Sequence, residues 1–166
     1  MDGSCDGTVR TMKDPSSSNV SAALDASWPL LRLARVYRNE IEDVFAEEAT
    51  SQDRSLGPLG VAVLLQIADE GTVNQQTLIR VLCVQPSVLV SVLDTLEKAG
   101  YLKRGRDPLD GRRRVVEIRP KGATAANRLV PLMKRAEDRT FARLTPVSRR
   151  RLAELMDKAL DGSGGR

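Results

Sequence analysis

From about Ser27, the apolar positions Leu30, Leu33, Ala34, Tyr37, Ile41, Val44 and Phe45 recur at helical spacing. They predict one long amphipathic helix ending near Thr50, with Pro29 in its first turn, where a missing N–H costs nothing. A second helix is predicted over residues 58–69, with Val61, Leu64, Leu65 and Ala68 on its buried face and Gly71 as its stop. Asn74 is a good N-cap, and the short helix after it buries Leu78, Ile79 and Leu82. Cys83 and Val84 then make a tight connection. The fourth helix spans about residues 86–99, with Leu89, Val92, Leu93 and Leu96 inward and Gly100 closing it.

Beyond Gly100 the period changes. Residues 101–106 are short and extended in character, Asp107-Pro-Leu-Asp-Gly111 is dense in turn formers, and Val115-Val-Glu-Ile-Arg119 reads as a returning strand. This predicts a β-hairpin with an arginine-rich tip. Two helices finish the chain. The first covers residues 122–144, with Leu129, Leu132, Met133, Ala136, Thr140 and Leu144 on a stripe and a kink expected at Pro131. The second is opened by Thr145-Pro146 and carries Leu152, Leu155, Met156 and Leu160.

The fold class expected from this order is mainly α with a small β-hairpin wing: a winged helix-turn-helix flanked by N- and C-terminal dimerisation helices. The division is a flexible tail over residues 1–20, an N-terminal dimerisation helix within 21–54, the winged helix-turn-helix over 55–121, C-terminal dimerisation helices over 122–161 and a flexible tail over 162–166. A winged helix offers one helix to a major groove and a basic hairpin to the backbone or minor groove. The flanking apolar stripes need a partner, and a second copy would place two reading heads on two half-sites.

Composition narrows the function. The chain has 166 residues, no histidine, two cysteines far apart and only 3% aromatics. The commonest general base is therefore missing, as is the commonest transition-metal ligand. Neither a zinc site nor a disulfide framework follows from Cys5 and Cys83. No P-loop, dinucleotide-binding glycine pattern or nucleophile elbow occurs, so no enzyme, catalytic residue, metal or cofactor is expected. The longest pure apolar run, Val61–Leu65, is far too short for a membrane span, and a soluble, cytoplasmic protein is expected. The net charge is +4, but residues 1–50 carry −4 and residues 101–121 carry +5. That local excess on the hairpin points to a polyanion partner.

The stretch Leu93-Asp-Thr-Leu-Glu-Lys-Ala-Gly-Tyr-Leu-Lys-Arg104 continues through Asp107-Pro-Leu-Asp-Gly-Arg-Arg-Arg114 to Val116-Glu-Ile-Arg-Pro-Lys-Gly122. In order and spacing it resembles the multiple-antibiotic-resistance-regulator (MarR) family of bacterial transcription factors. That family has a Leu-Glu-x-x-Gly-Leu/Tyr helix end, an Asp-Pro-x-Asp wing followed by arginines, and a Val-x-Leu-Thr-x-x-Gly strand. The resemblance covers about residues 28–160. It implies a homodimer that binds double-stranded operator DNA, is nucleoid-associated when bound, and acts as a repressor released by a small aromatic or phenolic ligand.

Carried over residue by residue, the wing contacts would come from Arg106, Asp110, Arg112, Arg113 and Arg114, with Asp110 orienting Arg112. An arginine at a hairpin tip can enter a narrow minor groove, where the negative potential is deepest. The recognition helix would read with Gln85, Ser87, Val88, Val90, Ser91 and Thr95. Here the chain departs from its relatives, which usually carry Thr-Arg where it has Val90-Ser91, often an arginine where it has Thr95, and often a glycine where it has Cys83. A helix without arginine lacks the commonest specific contact to guanine, so an A·T-leaning or weakly specific operator is expected. Ligands in the family bind between the dimerisation helices and the winged helix, and Trp28, Arg32, Arg35 and Tyr37 are the candidates for that pocket. The arginine-free helix also supports an alternative, a winged-helix dimer that serves as a protein-interaction module with weak or lost operator reading. The intact arginine wing opposes it.

Overall fold

Val73 is the only apolar residue in a three-residue strand, yet it organises the small sheet. The computed structural model describes residues 26–107 and 110–161. Helix α1 spans Ser27–Glu48, α2 Ser51–Arg54 and α3 Gly57–Glu70; strand β1 follows at Thr72–Asn74. Then come α4 Gln75–Val81, α5 Pro86–Lys98, β2 Leu102–Arg106, β3 Arg114–Ile118, α6 Pro120–Thr140 and α7 Pro146–Asp161. The sheet is antiparallel in the order β1-β3-β2, with Val73 opposite Val116 and Arg106 opposite Arg114. A hairpin alone was expected; β1 is the addition. The Asn74 that ends β1 also caps α4, its side chain accepting from the Gln76 N–H at 2.8 Å.

Two compact units are distinguished, residues 1–36 and 37–166. In the first, the described residues are the start of α1, where Trp28, Leu30, Leu31 and Val36 are exposed. In the second, Leu64 and Ile67 of α3, Leu78 of α4, and Leu89, Leu93 and Leu96 of α5 close over Leu102 and Val116 of the sheet. Ala125, Leu129, Leu132 and Ala136 of α6 join the same core. The stripe expected on α1 is buried only at Val44 and Phe45, with Tyr37 and Ile41 half-buried. On α7, Leu155 and Leu160 remain more than half exposed. Tails 1–20 and 162–166 lie outside the described residues.

Three boundaries differ from expectation. The first helix, expected to end near Thr50, stops at Glu48, and a separate short helix, α2, follows, because Thr50 turns the chain and caps the next turn, accepting from the Asp53 N–H. Helix α6 starts at Pro120 and ends at Thr140, so Leu144 falls beyond it and is exposed. Pro131 sits inside α6 without ending it. Cys83 adopts φ 49°, a left-handed conformation that disfavours any side chain with a Cβ.

One buried charge braces the helices. Asp53 is 2% exposed, takes the Thr50 hydroxyl at 2.6 Å and the Arg128 Nη2 of α6 at 2.8 Å. Burial alone would raise its pKa; the hydrogen bonds from Arg128 and Thr50 and the Arg128 charge outweigh burial and hold it below the ordinary value.

Candidate nucleic-acid interface

The hairpin β2–β3 is held to helix α5 by one arginine. Glu97 Oε1 accepts the Arg104 backbone N–H at 2.8 Å, and Glu97 Oε2 accepts its Nε at 2.7 Å. The Nη2 of the same guanidinium reaches Asp94. Arg104 alternates with Leu102 and Arg106, so all three share one face of β2. Because Arg104 packs against α5, Arg106 and its cross-strand partner Arg114 stand on the sheet face that meets this helix. The position of the wing relative to the helix therefore depends on a pair of carboxylates that sequence patterning did not single out. Glu97 and Arg104 both lay within the family-like stretch, but nothing local signals that they pair.

The carboxyl of Glu97 is held below the ordinary value, chiefly by the Arg104 backbone N–H; burial, next in size, pushes the other way, and the hydrogen bond and charge of the Arg104 guanidinium add to the lowering. A depressed folded pKa gives stabilisation that is complete above the unfolded value of about 4.3 and is lost as pH falls through the folded one. Glu97→Ala is expected to lower stability in urea by about 1–3 kcal/mol at neutral pH, since it strands a backbone donor. Glu97→Gln keeps an acceptor and should cost less. An alanine variant that unfolds at the wild-type urea midpoint would remove the clamp from this account.

At the tip, the Arg113 N–H donates to the Asp110 carbonyl at 2.8 Å and the Asp107 N–H to the Arg113 carbonyl at 3.0 Å. The Asp110 carboxylate accepts the Arg112 backbone N–H at 3.1 Å and ion-pairs with Arg113 Nε at 3.1 Å. Asp110 fixes the backbone of Arg112 but holds the side chain of Arg113. The side chains of Arg106, Arg112 and Arg114 are exposed. Arg106 and Arg114 stand directly opposite, a like-charge pair that weakens a hairpin unless an anion lies against it.

On helix α5, Gln85, Ser87, Val88, Val90, Ser91 and Thr95 are all exposed, as the recognition reading requires. Asp94 is half-buried in the Arg104 clamp, and the Thr95 hydroxyl donates to the Ser91 carbonyl at 3.1 Å. Ser91 and Thr95 also line a shallow groove of about 160 Å³ with Ser55, Leu56, Leu96 and Tyr101. None of the four ligand candidates lines it. Trp28, Arg32 and Arg35 are exposed in their own unit. Tyr37, in the other, is half-buried; burial first and Glu137 second raise its pKa, so its phenol stays protonated and able to donate. No group of metal-ligating side chains occurs among the described residues. No single helix there is long and apolar enough to cross a membrane.

Comparison with known proteins agrees with this geometry. No curated protein matches the chain in sequence. Among solved structures, NadR in complex with 4-hydroxyphenylacetate is similar with a TM-score of 0.68 at 17% identity, over 81% of this chain and 91% of its own. BpsR of Bordetella bronchiseptica, whose DNA binding is regulated by 6-hydroxynicotinic acid, gives 0.62 at 23% identity, covering 78% and 95%. A cysteine-to-serine mutant of MarR from E. coli, complexed with operator DNA, gives 0.59 at 19%, covering 89% and 99%. These likenesses show the fold. The MarR family model matches residues 60–113, from helix α3 through the arginines of the wing. The segment from helix α3 to the wing is thus similar to the MarR family, and the fold around it is of the winged helix-turn-helix type.

Proposed function

We propose that this protein works as a homodimer that grips operator DNA, represses from it, and lets go when a small aromatic or phenolic ligand binds. The observation that carries the DNA reading is the wing. Arg106, Arg112 and Arg114 hold exposed guanidinium groups beside a helix whose outer face carries no buried role. Cations placed this way gain by releasing counterions from phosphate. The dimer reading is supported by the exposed apolar residues at the start of α1 and, separately, on α7, which a second copy would cover. The ligand reading is supported by BpsR and NadR, similar proteins described with small hydroxylated aromatic acids.

The test is fluorescence anisotropy of the full chain against a duplex from its own upstream region and an unrelated duplex, over a range of salt. Tighter binding to the upstream duplex, weakening steeply with salt, is expected. Adding 4-hydroxyphenylacetate or 6-hydroxynicotinic acid at increasing concentration then asks whether this ligand class releases the DNA. No salt-dependent binding to either duplex would overturn the proposal and leave a protein-interaction module as the better reading.

A further inference from the structure

The outer face of α5 is chemically unusual for a helix that reads DNA. Val88 is 47% exposed and Val90 38%, and they flank Ser87 and Ser91. The helix contains no arginine, and its one cation, Lys98, stands in the last turn. The guanidinium packed against it, that of Arg104, is already taken by Asp94 and Glu97. Asp94 is thereby withdrawn as an acceptor for cytosine, and the Thr95 hydroxyl is turned back on Ser91. What remains toward solvent in the first turns is one amide, two serine hydroxyls and two branched apolar side chains.

Each base pair answers to different chemistry in the major groove. Guanine offers two acceptors and is met best by a forked cation; adenine suits a Gln amide; thymine alone offers a methyl group. A face with valines and an amide but no uncommitted cation is matched to A·T pairs. We infer that α5 selects its half-site chiefly by thymine methyl groups packed on Val88 and Val90, with Gln85 available to adenine. This rests on the DNA-binding reading above and adds the class of sequence read. Affinity would come from the wing cations and selection from apolar contact.

Arginines in a narrow minor groove also favour A·T tracts, so base preference alone does not identify the reader. Removing the methyl does, because it lies in the major groove. The probes are three duplexes of one length: a mixed A·T sequence, the same with deoxyuridine replacing every thymidine, and a mixed G·C sequence. The full chain is expected to bind the thymidine duplex most tightly, and loss of the methyls should weaken binding about tenfold. Val88→Ala with Val90→Ala should abolish the difference between thymidine and deoxyuridine binding. Both sites are on the surface, and circular dichroism confirms the fold. Equal binding to thymidine and deoxyuridine duplexes, both above G·C, would overturn the inference, assign selection to groove shape and leave the proposed function standing. Salt-dependent binding that ignores base composition would also overturn it. Absence of salt-dependent binding to all three would remove the DNA reading itself.

Discussion

Gly122→Ala is expected to cost about 3 kcal/mol or more, the upper end of what overpacking does to a core. A Cβ built at Gly122 falls 2.1 Å from the Tyr101 carbonyl oxygen and 3.0 Å from Ile118 Cγ1. The first neighbour is backbone, so no rotamer change relieves the clash. Nor can that backbone retreat. Tyr101 is 3% exposed, Leu102 beside it is fully buried, and the Tyr101 carbonyl accepts the Arg119 N–H at 2.9 Å. Helix α6 thus begins pressed against the residue just before β2, and only glycine permits the approach. For a domain of ordinary stability this is a large part of the total. Urea unfolding followed by circular dichroism should show a sharply lowered midpoint. Gly111→Ala is the control, because a Cβ there meets nothing within 4 Å and its φ is not in the left-handed range. Equal midpoints for the two variants would mean that α6 does not start where it is placed here.

The same contact shows why some of the architecture was legible in the sequence and some was not. Helices α3, α5 and α6 announce themselves because each carries a full stripe at 3.6-residue spacing, and burial follows that stripe at Leu64, Leu93 and Leu129. Strand β1 is too short for alternation to register, and with one apolar residue it looks like a loop. The stripe of α1 was legible as a helix but misleading as a core, since Leu30 is 57% exposed. Its spacing says which residues share a face and not what covers them. The family-like glycine at position 122 could be read as a motif letter, whereas its reason lies in a carbonyl twenty-one residues earlier.

Charge pairs were the least legible feature. Asp53 and Arg128 are 75 residues apart, and neither has a local pattern that singles it out. The Arg104 clamp joins residues seven apart across a turn, a spacing that no helical or strand rule marks. At the wing, the residue types pointed to phosphate, but Asp110 could have paired with any of three successive arginines. Local turn geometry decides it: the Arg112 N–H is drawn onto the Asp110 carboxylate, which leaves Arg113 as its ion-pair partner.

That division of labour sets up the second large effect. Replacing Arg106, Arg112 and Arg114 together by alanine is expected to lower duplex affinity by roughly a hundredfold or more near physiological salt, from the loss of several charge-assisted contacts per subunit. The plot of log affinity against log salt should flatten by about 0.9 for each arginine that had met a phosphate. Arg113→Ala behaves differently, since its guanidinium is shared with Asp110. It should loosen the turn and weaken binding without the full change in salt slope. The triple variant should not lose stability. The three side chains are exposed, and removing Arg106 and Arg114 abolishes a like-charge pair facing across the hairpin. Thermal melts are therefore expected to be unchanged or slightly higher while binding collapses. A fold that improves when its charges are removed carries those charges for something outside itself. If binding and its salt slope instead survive the triple substitution, the wing does not touch phosphate, and the exposed face of α5 would have to hold the duplex without a single arginine.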